Sequence, residues 1–246
     1  MEISFAAEKI GEIGGVPITN SFITSIFASL LLVSFSFFIS RRLNMIPGKV
    51  QNVTENIVET LYMLNTQIAG KRTAFIFPWF ATFFLSIVFA NWLGLLPGFG
   101  TVGFFQKEGH FVPLLRPVNS DLNITLSLAL ISIAVTHFFS IKVMGIKEYL
   151  GRFFSLNPIN LFVGILELVS EFTKVASLSF RLFGNIFAGE ALLVTVSKIS
   201  AFSAFIIPIP FMMLELVVGL VQGLVFAMLT LVFMVILTTS HKEGGG

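Results

Sequence analysis

No cysteine occurs among the 246 residues, which excludes a disulfide framework and a thiolate metal site. The three histidines, His110, His137 and His241, are too scattered in sequence to suggest a metal cluster. Charge is scarce too. Asp, Glu, Lys and Arg make up 11% of the chain, against roughly a quarter in a soluble domain. No run of like charge stands behind the net +2, so nucleic acid is not an expected partner. There is no glycine-rich phosphate loop, and neither a cofactor nor a metal is expected. The first dozen residues carry Glu2, Glu8, Lys9 and Glu12, whereas a secretory leader puts positive charge immediately before a short apolar run, so no cleaved signal is expected.

What fills the sequence instead is apolar: 55% hydrophobic residues, 30 of them Phe, with a mean hydropathy of +0.93. Only lipid keeps that much apolar surface out of water. Charge-free stretches match the roughly 20 residues needed to cross a ~30 Å hydrocarbon core. The first expected span is 20–40, ending at Arg41 and Arg42. From Val50 the apolar positions Val53, Ile57, Leu61, Leu64 and Ile68 repeat at a 3-4 spacing, with Asn52, Glu55, Asn56 and Glu59 on other faces, as in a helix lying at the interface. A second span is expected at 75–96, before Pro97-Gly98, and a third at 122–141. Asn157-Pro158 then opens a helical stretch reaching about 195, and another follows the prolines at 208 and 210, over about 211–239. At 1.5 Å per residue these measure about 57 and 43 Å, so each must tilt steeply or break. The expected fold is an all-α polytopic membrane protein: about five membrane-embedded helices and one interfacial amphipathic helix, the last two spans long and steeply tilted.

Those last two helices carry Glu167, Glu171, Lys174, Arg181, Glu190 and Glu215, each costing a few kcal/mol or more at bilayer depth unless protein or water surrounds it. At 100° per residue, Glu167, Glu171, Lys174, Arg181 and Asn185 fall in one stripe, and Glu190 near the opposite face. Glu215 and Gln222, seven apart, share a face. A plainer reading is that these charges only pair internally or snorkel, with Glu167 and Glu171 close to the cytoplasmic interface; it suits Glu171 and Lys174 better than Arg181, which lies more than twenty residues into its helix. Gly219 with Gly223, and Gly184 with Ala188, read as close-packing pairs. His137 reads as a satisfied residue near a helix end.

The stretch SLSFRLFGNIFAGE at 177–190 closely resembles the signature of subunit a of the F-type ATP synthase. NWLGLLPGF at 91–99, RPVNSDLNITLSLAL at 116–130 and LVQGLVFAMLTLVF at 220–233 extend the resemblance over most of the chain from Phe75. It implies a non-catalytic, proton-conducting stator subunit. Two offset half-channels would serve a rotating c-ring, and Arg181 would keep the arriving ring carboxylate ionised and block leakage between the channels. A fixed cation favours the ionised form of a nearby carboxylate, which agrees. By the same resemblance Glu190, Glu215, Gln222, Asn91 and Ser140 line the outer half-channel, Glu167, Ser170 and Lys174 the inner one, and Asn185 belongs to the arginine motif. Some members carry histidine at the position of Glu215 and an acid at that of Gly94. The implied partners are the c-ring, peripheral-stalk b subunits, other ATP synthase subunits and the lipid membrane. The implied location is the bacterial plasma membrane, or alternatively an organellar energy-transducing membrane. The chain would be one membrane domain over 1–246: an outside segment at 1–19, the first span and interfacial helix at 20–72, and the ion-channel core at 73–246.

Other functions fit less well. A secondary transporter would often show two related halves with matching interrupted helices, and no such repeat is visible. A structural anchor has no use for six intramembrane charges, and no Ser or Asp nucleophile has a partnered His for an intramembrane hydrolase.

With Lys174 and Arg181 set aside as intramembrane, Arg41, Arg42, Lys49, Lys71, Arg72, Lys142, Lys147, Arg152 and Lys242 fall on one side. Lys9, Lys107, Arg116 and Lys198 fall on the other. The positive-inside rule then puts the N-terminus outside and the C-terminus inside. Since the chain has no native cysteine, single-cysteine variants test this directly: thiol reagents should reach 99–115 from outside and 145–155 from inside. Labelling from the opposite sides would invert the topology.

Overall fold

The computed structural model describes residues 7–13, 15–41, 43–96, 99, 102–105, 111–153, 158–197 and 207–238. The expectations resting on Arg42, Pro97-Gly98, Lys107, Asn157, Lys198 and Lys242 lie outside these, as do His110 and His241.

A small antiparallel hairpin, β1 (Lys9–Ile13) and β2 (Val16–Thr19), leads into α1 (Asn20–Arg41). Helix α2 (Lys49–Ala69) passes through one 3-10 turn into α3 (Thr73–Gly94), and a second hairpin, β3 (Gly103–Phe105) with β4 (Phe111–Pro113), precedes α4 (Leu122–Met144). The short α5 (Ile146–Phe153) follows, then α6 (Pro158–Ser197) and α7 (Pro208–Thr238). The chain is an all-α polytopic membrane protein. Helices α1, α3, α4 and α7 are long and apolar enough to cross a membrane.

Helix α6 is one unbroken run of 40 residues, about 60 Å long and twice the hydrocarbon thickness, so it fits the core only at a steep inclination. Helix α7 starts at Pro208 rather than after the prolines, because a first-turn proline loses no intrahelical hydrogen bond. The unforeseen α5 follows from Gly145, whose φ of 85° lets the chain reverse at the end of α4 while its N–H still donates to Ile141 O at 2.9 Å. The two hairpins were not legible either, being too short for an alternating pattern to register.

Helix α3 is the central element. It packs on α7 and, with α4 and α6, encloses a core in which Ile76, Phe80, Ile87, Ala129, Leu182, Leu231 and Met234 are almost wholly buried. Helix α2 buries only Leu61, Asn65 and Ala69 and leaves the rest of its length largely uncovered. Gly219 and Gly223 of α7 meet α3: a Cβ on Gly219 would lie 3.0 Å from Asn91 Cβ, and one on Gly223 2.5 Å from Val88 Cγ2. Close packing is therefore their role. The Gly184–Ala188 pair behaves otherwise, because a Cβ on Gly184 would meet nothing within 4 Å and Ala188 is exposed. Nothing from this chain's described residues covers that part of α6.

On the loop side of the bundle, a buried polar seam fixes α1 against the start of α4. Ser21 Oγ donates to Asp121 Oδ2 at 2.5 Å, while Asp121 Oδ1 caps α4 by accepting from Asn123 N at 2.9 Å. The Arg116 backbone N donates to Thr24 Oγ1 at 3.2 Å, and Arg116 Nε to Ser120 Oγ at 3.1 Å. This seam holds the 116–121 segment over the α3–α7 contact.

Replacing Gly223 by Val should overpack that contact by about 1–3 kcal/mol, more than the ~0.5 kcal/mol that Val gains over Gly in helix propensity. The fraction of protein surviving a heat step in detergent should fall, and Val88→Ala in the same chain should recover most of it. Unchanged heat resistance would contradict the contact.

Candidate functional site

Helices α6 and α7 run antiparallel, and two contacts fix their register. At one end Gly189 lies against Glu215, where an added Cβ would come within 2.7 Å of Glu215 Oε1. At the other, Lys174 Nζ sits 4.9 Å from the centroid of the Phe233 ring. Between these points Gln222 falls level with Gly184 and Asn185. All of the charged positions on α6 can be placed against that register.

At the first end, Glu190 follows Gly189 and shares its neighbourhood with Glu215. Each has a carboxylate oxygen, Oε2, that is fully buried with no hydrogen-bond partner among the described residues. One turn along α7, Asn91 of α3 donates from Nδ2 to Gly219 O at 3.2 Å and accepts from Asn119 Nδ2 at 2.7 Å. Trp92 Nε1 donates to Leu216 O at 3.1 Å. Asn119 Oδ1 is itself buried and unpartnered. The structure thus brings Glu190, Glu215 and Asn91 together and adds Asn119. That residue stands in the sequence within RPVNSD, but nothing about its spacing marks it out.

Ser140 does not join them. Its Oγ donates to Leu237 O at 2.8 Å, near the far end of α7, and Leu237 is 22 residues, or about 33 Å, from Glu215 along the helix. The grouping of Ser140 with these carboxylates, implied by the resemblance, therefore departs from what the structure brings together.

The expected stripe on α6 resolves into two environments. Glu171 is 8% exposed and turned to α4. Its Oε1 accepts from Lys174 Nζ at 2.7 Å, and its Oε2 lies 3.5 Å from His137 Nε2. His137 Nδ1 in turn lies 3.0 Å from the hydroxyl of Tyr149 on α5. Glu171 and Lys174 are therefore an internal pair, with His137 held at their edge. Neither His137 nor Tyr149 could have been joined to Glu171 from the sequence, since the three stand on separate helices.

Arg181 and Asn185 lie on an uncovered face. The Arg181 guanidinium donates from Nη2 to Ser177 Oγ at 3.2 Å, and no carboxylate approaches it among the described residues. It ends an open groove of about 450 Å³ that runs along α6 past Ser170, Lys174 and Ser177, with Leu229 and Phe233 of α7 as its other wall. Glu167 lies half-buried near the start of this run. Two polar regions result, a closed carboxylate cluster at the Gly189 end and an open cationic groove below it, with Gln222 and Asn185 at the level between them.

A family model described as the ATP synthase A chain matches residues 22–235. The "ATP synthase subunit a" of Moorella thermoacetica is 30% identical over 233 residues, spanning 95% of this chain and 97% of that protein. That of Legionella pneumophila is 29% identical over 233 residues, 94% of this chain and 92% of its own. That of Acidothermus cellulolyticus is 30% identical over 230 residues, 92% and 79% of the two.

Proposed function

The chain belongs to the ATP synthase A chain family and is a multi-pass subunit of that complex's membrane sector; from this we propose that it is the non-catalytic, proton-conducting stator, feeding a rotating c-ring through two half-channels. The observation that carries the proposal is Arg181. A guanidinium about 35 Å along α6 from Pro158, exposed and with a hydroxyl but no carboxylate for company, is too costly in lipid to stand alone. Its counter-charge belongs to another chain. The uncovered Gly184 and Ala188 beside it leave room for a partner helix to come close.

On this reading the ring carboxylate passes the Arg181 face and is held ionised there by the guanidinium. Glu190 and Glu215, supported by Asn91 and Asn119 and extended by Gln222 and Asn185, form the outer half-channel. Their unpartnered buried oxygens are what a chain of exchanging waters would complete. The groove past Glu167, Ser170 and Lys174 forms the inner half-channel. Ser140 packs on the inner end of α7 and has no part in the outer path. The c-ring and the peripheral-stalk b subunits are the partners, the whole chain acts as one membrane domain, and the setting is the bacterial plasma membrane, in keeping with the bacterial relatives.

Arg181→Ala should abolish proton-driven ATP synthesis while leaving the complex largely assembled, because the side chain packs against little of its own chain. Normal synthesis by an assembled variant would end this proposal.

The carboxylates are tested by substitutions that keep volume and hydrogen bonding but remove the titrating proton. Glu190→Gln should lower proton flux in vesicles about a hundredfold, and Glu215→Gln by a smaller factor, general acid–base steps being worth roughly 10²–10⁴. Undiminished flux in both would move the outer path to Asn91 and Gln222 alone.

A further inference from the structure

Four titratable side chains from three helices form a continuous series at the inner end of the bundle, and the proposed ion path uses only the last of them. Tyr149 (α5), His137 (α4), then Glu171 and Lys174 (α6) follow one another at 3.0, 3.5 and 2.7 Å. His137 lies seven residues before the end of α4, about 10 Å in from it. The groups that face its imidazole are Tyr149 from α5 and Glu171 from α6, with Lys174 behind Glu171. Among the described residues no charged group of α7 lies beside it. About a fifth of the His137 and Lys174 side chains is exposed, and about a tenth of Glu171. His137 and Lys174 are thus open to water while Glu171 between them is nearly dry.

Neutralising Lys174 needs Glu171 alone, and that pair is already complete at 2.7 Å. A second titratable group on the other carboxylate oxygen, steadied by a third, has no such explanation. Lys174 also lines the groove that ends at Arg181, so the series joins the inner surface to that groove.

We propose that His137 and Glu171 form a proton-exchange pair at the inner mouth of the Arg181 groove, with Tyr149 as the residue that positions the imidazole. This rests on reading that groove as the inner half-channel. While Glu171 is ionised, the neutral imidazole donates from Nε2 to Glu171 Oε2 and accepts from the Tyr149 hydroxyl at Nδ1. Once Glu171 is protonated, exchange with the water that reaches the imidazole moves that hydrogen to Nδ1, where it is donated to Tyr149 Oη, and turns the Nε2 lone pair to Glu171. A proton released from the ring into groove water is taken up by the Glu171 carboxylate. Its O–H bond breaks as Nε2–H forms on His137, giving imidazolium beside carboxylate, and the imidazolium then loses its Nδ1 proton to inner water. The carboxylate is restored and one proton has crossed. The imidazole is left with its hydrogen on Nε2, donated again to the Glu171 carboxylate, which is the state that takes up the next proton. In ATP-driven pumping the steps reverse.

The test uses the complete ATP synthase in vesicles, measuring coupled proton flux. His137→Gln keeps the size and hydrogen bonding of the side chain but cannot carry the proton, so flux should fall on the order of tenfold with assembly unchanged. His137→Ala should fall similarly and recover with imidazole added on the inner side. Pyrazole, of the same shape but scarcely protonated near neutrality, should not restore it. Tyr149→Phe should cost about twofold and show no imidazole rescue, as expected of a positioning residue. Glu171→Gln is the less clean variant, since it strands the Lys174 charge.

Unchanged flux in both His137 variants would overturn the proposal, as would equal rescue by imidazole and pyrazole, which would mean that the ring only fills space. Arg181→Ala is run alongside. Loss of flux there with none at His137 refutes the exchange pair and leaves the groove reading standing, whereas no loss at either position refutes both.

Discussion

A cation inside a lipid-facing helix must find its counter-charge, and the arrangement of this bundle turns on where each one is found. Lys174 finds Glu171 three residues earlier on its own helix, and Arg116 is folded into the seam at the head of α4. Among the described residues Arg181 finds only Ser177. Nothing in the local chemistry prevents an acid one turn away, since Glu171 serves Lys174 in that way. On the proposed reading the open guanidinium has its partner outside the chain, and that partner is mobile. A carboxylate fixed on α6 would hold Arg181 permanently and leave nothing for a passing one.

Small residues make the rest possible. Because Gly219 and Gly223 carry no Cβ, α7 lies tightly against Asn91 and Val88 of α3, and because Gly189 carries none, Glu215 can lie beside the chain leading to Glu190. Glycine is costly inside a helix in water by about 1 kcal/mol, but between membrane helices close approach is a main source of association. Among the described residues the buried Oε2 of each carboxylate has no hydrogen-bond partner, so the pair is brought together by backbone proximity, and on the proposed reading water completes it.

Much of the fold was legible because lipid imposes a single rule, charge-free stretches of about twenty residues, and α1, α3 and α4 obey it closely. Helix α6 breaks that rule and was legible for the opposite reason: its proline-free length and its RLFGN motif stand out against the surrounding apolar sequence. What could not be read is whatever depends on the level at which helices cross. Periodicity placed Arg181 and Glu190 on opposite faces, as the structure does, with the first open and a carboxylate oxygen of the second buried. It also put Glu171 in the Arg181 stripe, whereas the neighbouring α4 covers Glu171 and leaves Arg181 bare. Ser140, Gly184 and His137 belong to the same class. Ser140 was placed by resemblance and meets Leu237 of α7, His137 was read from its own helix and meets Glu171 of α6, and Gly184, read as a packing residue, has no neighbour within 4 Å of an added Cβ.

The length of α6 follows from the same geometry. Its inner part must carry Glu167, Ser170 and Lys174 along a groove, its middle must present Arg181 to open space, and its far part must bring Glu190 to Glu215. At 1.5 Å per residue the 23 residues from Glu167 to Glu190 span about 35 Å, more than the ~30 Å core if the helix stood upright. Tilting keeps all three within reach of the membrane, and the half-turn of phase between Arg181 and Glu190 sets the open groove and the carboxylate cluster on different sides of one rod. Two polar regions on opposite faces of a continuous helix cannot merge into one aqueous pore through it. On the proposed reading, ions passing between them cross at the level of Arg181, on the face of α6 that the described residues leave uncovered.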